Sequence, residues 1–179
     1  QDQYRGWDFF VQGNRIGTNT AGSAAIANGY NGVVITAANN NRIGGTTASE
    51  LNVISGNTKN GIGIAGGASG NLVERNYIGL ATDGAAALGN GENGVLIVDS
   101  PSNKIGGDIV GTWNIISANG YHGIELRGDG ADANIIQRSI VGAAPRCSCA
   151  ASCCSSDSVL SAGCAAPSRS RSRATVSAR

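Results

Sequence analysis

Short aliphatic runs alternate with asparagine- and glycine-rich corners along most of this chain. "NGVVI" at 31 returns as "NGIGI" at 60, "NGVLI" at 93 and "HGIEL" at 122, in steps of 29, 33 and 29 residues. Between them stand "NRI" at 41, "NLV" at 71, "NKI" at 103 and "NII" at 134. A third series is "NRI" at 14, "NVI" at 52, "NYI" at 76, "NII" at 114 and "SIV" at 139. Two-residue alternation within each run sends one set of side chains to one side, which is the mark of a strand. Each unit therefore predicts three short strands separated by Asn or Gly corners.

Stacking the units predicts three columns of inward side chains. Val33 and Ile35 should lie over Ile62 and Ile64, then Val95 and Ile97, then Ile124 and Leu126. Ile43, Val73, Ile105 and Ile136 form a second column, and Ile16, Ile54, Ile78, Ile116 and Val141 a third. No coil can bury its own apolar face alone, so its neighbours must cover it. The expected fold is all-β: a parallel β-helix (solenoid) with three strands per coil and about four to five coils, each rising about 4.8 Å. A longer period is superimposed on this one. Residues 31–57 and 93–119 share twelve identities in 27 positions at a shift of 62 residues, a double-coil repeat.

The corners hold Gly and Asn in register while other positions drift. Gly adopts positive φ freely and Asn more readily than most residues. Stacked Asn side chains can also satisfy backbone groups of adjacent coils. Composition agrees with many short turns: Gly is 28 of 179 residues, aromatics are 4%, charged residues 14%, and Met is absent. A helical domain would need more Leu, Lys and Glu. No apolar run approaches the length of a membrane span. The chain starts at Gln1 without a signal-like stretch, as expected of a mature form or a fragment.

The strings "NRIGGTTASELNVISGN", "GIGIAGGASGNLVERNYIGLATDG" and "NKIGG" resemble the right-handed parallel β-helix repeat proteins of the pectate-lyase-like superfamily. More narrowly they resemble a group of bacterial secreted or surface proteins with an Asn/Gly-rich repeat. The resemblance covers about residues 9–142. It implies a right-handed coil, an extracellular or cell-surface location and a polysaccharide partner. It does not choose among lyases, glycoside hydrolases, uronate epimerases and adhesins, because the shared residues are those of corner and core.

The residues are less informative about chemistry. The superfamily's Asp clusters beside a basic residue, its Gly-His-Gly stretch and its Asp-Pro-His stretch are not present intact. His122 occupies an Asn corner position, and Glu125 should point outward near it. They are the candidate acid/base pair, with a simple corner substitution as the competing reading. Asp129 and Asp132 in "GDGAD" are candidate oxygen ligands for Ca²⁺, the one cofactor considered, against an ordinary solvated turn. Arg42 and Lys104 fall at equivalent outward sites, and Arg15 and Tyr77 line another face. A Tyr beside cations suits sugar stacking and carboxylate pairing, against an ordinary mixed surface. Two long corners, from Thr18 and from Leu80, should protrude and wall any groove.

Residues 1–142 carry eight Lys or Arg and eleven Asp or Glu, a balance of −3, whereas 143–179 carry five Arg and one Asp, a balance of +4. The repeat stops after Gly142. All five cysteines (Cys147, Cys149, Cys153, Cys154, Cys164) follow, without His and without C-x₂-C spacing. Residues 1–142 are thus read as repeats, and 143–179 as a low-complexity Cys/Ser/Arg tail fitting a shifted reading frame. Its Ser-Arg alternation suits weak nucleic-acid binding at most, with no specific nucleic-acid partner, and the tail is expected to be disordered or irregular. An uncapped last coil predicts self-association through the end coils.

The leading functional expectation is an extracellular scaffold or glycan-binding module without a catalytic site. The competing expectation is a fragment of a lyase, hydrolase or epimerase acting on acidic polysaccharide.

Overall fold

The structure, a computed structural model, describes residues 9–142. The domain boundary expected after Gly142, and every reading placed on the cysteines, lie outside the described residues. Fourteen strands follow in order: β1 Phe10–Val11, β2 Arg15–Ile16, β3 Val33–Thr36, β4 Arg42–Gly44, β5 Asn52–Ile54, β6 Ile62–Ala65, β7 Leu72–Glu74, β8 Asn76–Ile78, β9 Val95–Val98, β10 Lys104–Ile105, β11 Asn114–Ile116, β12 Ile124–Arg127, β13 Ile135–Ile136 and β14 Ser139–Val141. Among the described residues a single 3-10 turn, Ala48–Glu50, interrupts them.

The strands form three parallel sheets. Sheet A runs β1-β4-β7-β10-β13, sheet B runs β2-β5-β8-β11-β14, and sheet C runs β3-β6-β9-β12. Every third strand is a spatial neighbour, so the chain makes four complete three-strand coils and the first two strands of a fifth: a parallel β-helix. The expected columns are the observed registers, with Ile35↔Ile64↔Ile97↔Leu126, Ile43↔Val73↔Ile105↔Ile136 and Ile16↔Ile54↔Ile78↔Ile116↔Val141. Ile54, Ile62, Ile64, Ile78, Ile97, Ile105 and Ile116 are wholly buried. Each contributes roughly 1.5–3 kcal/mol of transfer free energy before entropy is subtracted.

Four asparagine ladders run up the corners. Asn41 Nδ2 donates to Asn71 Oδ1 at 2.8 Å and Asn71 Nδ2 to Asn103 Oδ1 at 2.9 Å, and each backbone N–H donates to the same acceptor. Asn103 N–H then reaches Asn134 Oδ1. Asn14, Asn52, Asn76 and Asn114 form a second ladder. Asn28, Asn57, Asn90 and Asn119 form a third. The fourth runs with opposite polarity: Asn60 donates back to Asn31, and Asn93 back to Asn60.

This changes the reading of the corners. Among the described asparagines only Asn40 has a positive φ, so the ladder asparagines are held by hydrogen bonding rather than by unusual torsions. The glycines of the Asn-Gly pairs likewise have no positive φ. Those after Asn31, Asn60 and Asn93 are needed for space, since a Cβ on Gly61 would sit 2.7 Å from Gly94 O, and one on Gly94 2.5 Å from Gly123 O.

Odd and even coils differ. In coils 1 and 3 a hairpin arm leaves the corner between sheets B and C, closed by antiparallel bridges Thr18↔Ala25 and Leu80↔Ala87. In coils 2 and 4 a knuckle at 45–51 or 107–113 leaves the corner between sheets A and B instead. This alternation is the structural content of the 62-residue period.

Candidate functional site

The corner between sheets A and B gathers Arg42, Glu50, Glu74, Arg75, Lys104, Asp108 and Arg138. One column there reads Gln12, Gly44, Glu74, Gly106, Gln137, a large polar side chain on each odd coil and glycine on each even one. Gly44 and Gly106 have φ of 91° and 108°, and a Cβ would meet the carbonyl oxygen of Glu74 or Gln137 at 1.7 or 1.6 Å. Only glycine satisfies both demands. The room so left takes the Glu74 side chain, only 3% exposed, whose Oε1 accepts from Arg42 Nη2. Arg42 is thus turned into a buried ion pair, and its Nε has no partner among the described residues.

Lys104, the even-coil counterpart of Arg42, donates to both oxygens of Asp108 at 2.6 and 2.7 Å. Hydrogen bonds from Lys104 and then Gln137 hold the Asp108 carboxyl below its ordinary range. Arg42 and Lys104 lie in one column with Phe10, Leu72 and Ile135, two coils apart, and each has its own carboxylate.

Arg15 and Tyr77 occupy the outer column of sheet B with Val53, Ile115 and Ile140. The arms lie over this face. The position of a Gly22 Cβ is 3.2 Å from Arg15 Nε, and that of a Gly84 Cβ is 2.8 Å from the Tyr77 ring. Between them Val53, although outward-facing, is 2% exposed. The second arm rests on the first, Thr82 N–H donating to Gly22 O at 3.0 Å and Thr82 Oγ1 to Ala21 O at 3.1 Å. The expected groove walls therefore fold down as a cover over the first three coils.

His122 and Glu125 are brought around one residue, Asn93. The backbone N–H of His122 donates to Asn93 Oδ1 at 3.1 Å, and Asn93 Nδ2 donates to Glu125 Oε2 at 2.9 Å. Glu125 Oε1 meanwhile pairs with Arg127 at 2.8 Å. His122 thus stands in the fourth Asn ladder, and Glu125 is held by an amide and a guanidinium. Asp129 and Asp132 are exposed in the turn before β13, where Asp132 O accepts from Ser102 N–H. Among the described residues no group of three His, Cys, Asp or Glu could hold a metal ion.

A further outward column went unread in the sequence. The residue just before each Asn-Gly or His-Gly corner is Tyr30, Lys59, Glu92 and Tyr121 in successive coils, joined by backbone bonds. Lys59 Nζ donates to Glu92 Oε1 at 2.6 Å, a bond that raises the lysine pKa. The two tyrosines flank this pair and are 64 and 65% exposed. The signal was legible as "YNG", "KNG", "ENG" and "YHG". Glu74 was harder to find, because burial of a strand-end carboxylate depends on glycines in the two adjoining coils.

Comparison with protein-family profiles, curated proteins and solved structures finds no match to this chain.

Proposed function

We propose that the chain is a rigid, non-catalytic β-helix scaffold, set in an extracellular or bacterial cell-surface protein. One observation carries this reading: the charged side chains nominated for chemistry on sheets A and C are spent on one another. Arg42 pairs with Glu74, Lys104 with Asp108, and Arg127 with Glu125. Charges held by partners within the chain have fewer contacts left to offer a ligand. The surface setting, and membership of the pectate-lyase-like superfamily, rest on the Asn/Gly repeat alone. Among the described residues no helix is long and apolar enough to cross a membrane.

The rival reading, a fragment of a polysaccharide lyase, hydrolase or epimerase, draws on the Glu125–Asn93–His122 arrangement. Incubation with polyuronates, with and without Ca²⁺, separates the two. The scaffold reading expects no unsaturated product and no new reducing ends, and product that disappears in Glu125→Gln would end it.

A glycan-binding role is supported by the Tyr30–Lys59–Glu92–Tyr121 column. Exposed rings on a rigid frame stack on sugar faces, and the ion pair between them offers hydroxyl partners. A glycan array tests this. Binding carried by the column should fall about tenfold or more in Tyr30→Ala and Tyr121→Ala, while an array without hits leaves the scaffold role alone.

A further inference from the structure

The column Tyr30, Lys59, Glu92 and Tyr121 departs from the rule that governs core and ladders. A shift of 62 residues sets Tyr30 on Glu92 and Lys59 on Tyr121, so these positions do not follow the double-coil period. Their spacing is nevertheless fixed by the backbone. Lys59 N–H donates to Tyr30 O at 3.1 Å, Glu92 N–H to Lys59 O at 3.1 Å and Tyr121 N–H to Glu92 O at 2.9 Å. Three coil rises of about 4.8 Å therefore set the two tyrosines about 14 Å apart. The column lies on the flank of the solenoid, whereas coils stack along its axis, so the exposure of the rings does not depend on what stands at either end.

Between the rings the charges cancel. Lys59 Nζ donates to Glu92 Oε1 at 2.6 Å, and Glu92 Oε2 accepts from Asn60 Nδ2 at 3.3 Å. On the adjoining sheet C, Asn93 Nδ2 and Arg127 hold Glu125 in the same way. A polyanion would have to displace Glu92 from Lys59 before gaining a cation, exchanging one ion pair for another. A chain of hydroxyls needs no such exchange, because a paired ammonium and carboxylate keep N–H groups and lone pairs for neutral partners. The Lys59 and Glu92 side chains are 43 and 26% exposed, open to a ligand lying across them.

We propose that this column binds an uncharged, linear oligosaccharide stretch of at least four sugars, laid along the solenoid axis. The inference rests on the glycan-binding reading above and specifies its ligand. An extended sugar chain advances by roughly one coil rise per unit. Tyr30 and Tyr121 then address the first and the fourth sugar, each ring stacking on an apolar sugar face. The Lys59–Glu92 pair meets hydroxyls of the two sugars between them. One ring alone holds a sugar weakly. A chain that reaches both makes the second contact intramolecular, so affinity rises in a step at that length. Mounting the rings on stacked coils also lowers the ordering cost that a pair carried on loops would bring.

The test titrates the full chain by calorimetry with linear gluco-, manno-, xylo- and chito-oligosaccharides of two to six units. Oligogalacturonates of the same lengths serve as the charged counterpart. At least one uncharged series should bind saturably, about tenfold more tightly at four units than at three, with a plateau beyond. Tyr30→Ala and Tyr121→Ala should each erase that step, while shorter chains lose only one of two equivalent sites. Glu92→Gln should release Lys59 and raise oligogalacturonate affinity about threefold or more. Circular dichroism should show that all three variants keep their strands. A smooth climb of affinity with length, a step that survives Tyr121→Ala, or tighter binding of oligogalacturonates by the unaltered chain overturns this inference and leaves the glycan-binding role standing. No binding in any series, charged or uncharged, removes the glycan-binding reading itself, and this inference with it.

Discussion

At the scale of single residues, the most consequential side chains here are amides rather than hydrophobes. Asn76 is wholly buried, and its Nδ2 donates to Ile43 O, Glu74 O and Asn114 Oδ1 while its Oδ1 accepts from Asn52. Removing it strands several buried groups at once, each costing about 1–3 kcal/mol. Asn76→Ala should therefore lower stability by more than about 3 kcal/mol in urea unfolding, whereas the exposed Thr36→Val should change it by less than about 0.5 kcal/mol. Glu74 poses a different problem, because its loss leaves Arg42 charged and mostly buried. Glu74→Ala should cost about 3–5 kcal/mol, and a double variant Arg42→Met/Glu74→Leu should recover most of it, since apolar pairs replace buried ion pairs well. A double variant as unstable as Glu74→Ala would show that the corner needs charge, not merely filling.

At the scale of elements, the arms illustrate what periodicity reveals and what it conceals. Their existence was legible, since the insertions at Thr18 and Leu80 fall at matching points of the 62-residue period. Their direction was not. Whether a loop projects or lies down is decided by contacts such as Gly84 against Tyr77 and Thr82 against Gly22, which no local pattern encodes. The same limit explains the candidate site. The outward placement of Arg42, Lys104 and Glu125 follows from alternation, but Glu74 and Asn93 reach Arg42 and Glu125 from other coils, and Asp108 reaches Lys104 from a knuckle of irregular backbone. Core columns survived intact because they depend on period alone. His122 was legible as a corner residue because the fourth ladder asks only a backbone N–H of it.

The second arm also carries a pH dependence. Backbone N–H groups of Ala85 and Ala86, in that order, hold the Asp83 carboxyl below its ordinary value. A carboxylate with a lowered folded pKa stabilises fully above its unfolded pKa and loses that contribution as pH falls through the folded one. Hydrogen exchange at Ala85 and Ala86 should thus gain an acid-dependent component below the ordinary carboxylate range, beyond intrinsic chemistry. Asp83→Asn should remove that component. An unchanged profile in the variant would place the acid sensitivity elsewhere, with Glu50 and Asp108 as the other carboxylates of lowered pKa among the described residues.

At the scale of the whole molecule, the unit of construction is two coils, and this can be separated from simple length. A solenoid loses stability as coils are removed, because each contributes its own interfaces. On length alone, a small deletion should do less harm than a large one. Parity predicts the reverse. Deleting residues 31–92, 62 residues, joins Tyr30 to Asn93 and sets an even coil directly on coil 1, so Gly106 again follows Gln12 and the Asn ladders remain in phase. Deleting residues 31–59, 29 residues, joins Tyr30 to Asn60 and sets coil 3 on coil 1. Glu74 then meets Gln12 instead of glycine, the arms collide on adjacent coils, and Arg75 loses the knuckle behind it. The larger deletion should keep strand circular dichroism and a sigmoidal urea transition at a lowered midpoint, and the smaller one should lose the transition. If the 29-residue deletion is the more stable, the odd–even alternation is decoration on a one-coil repeat.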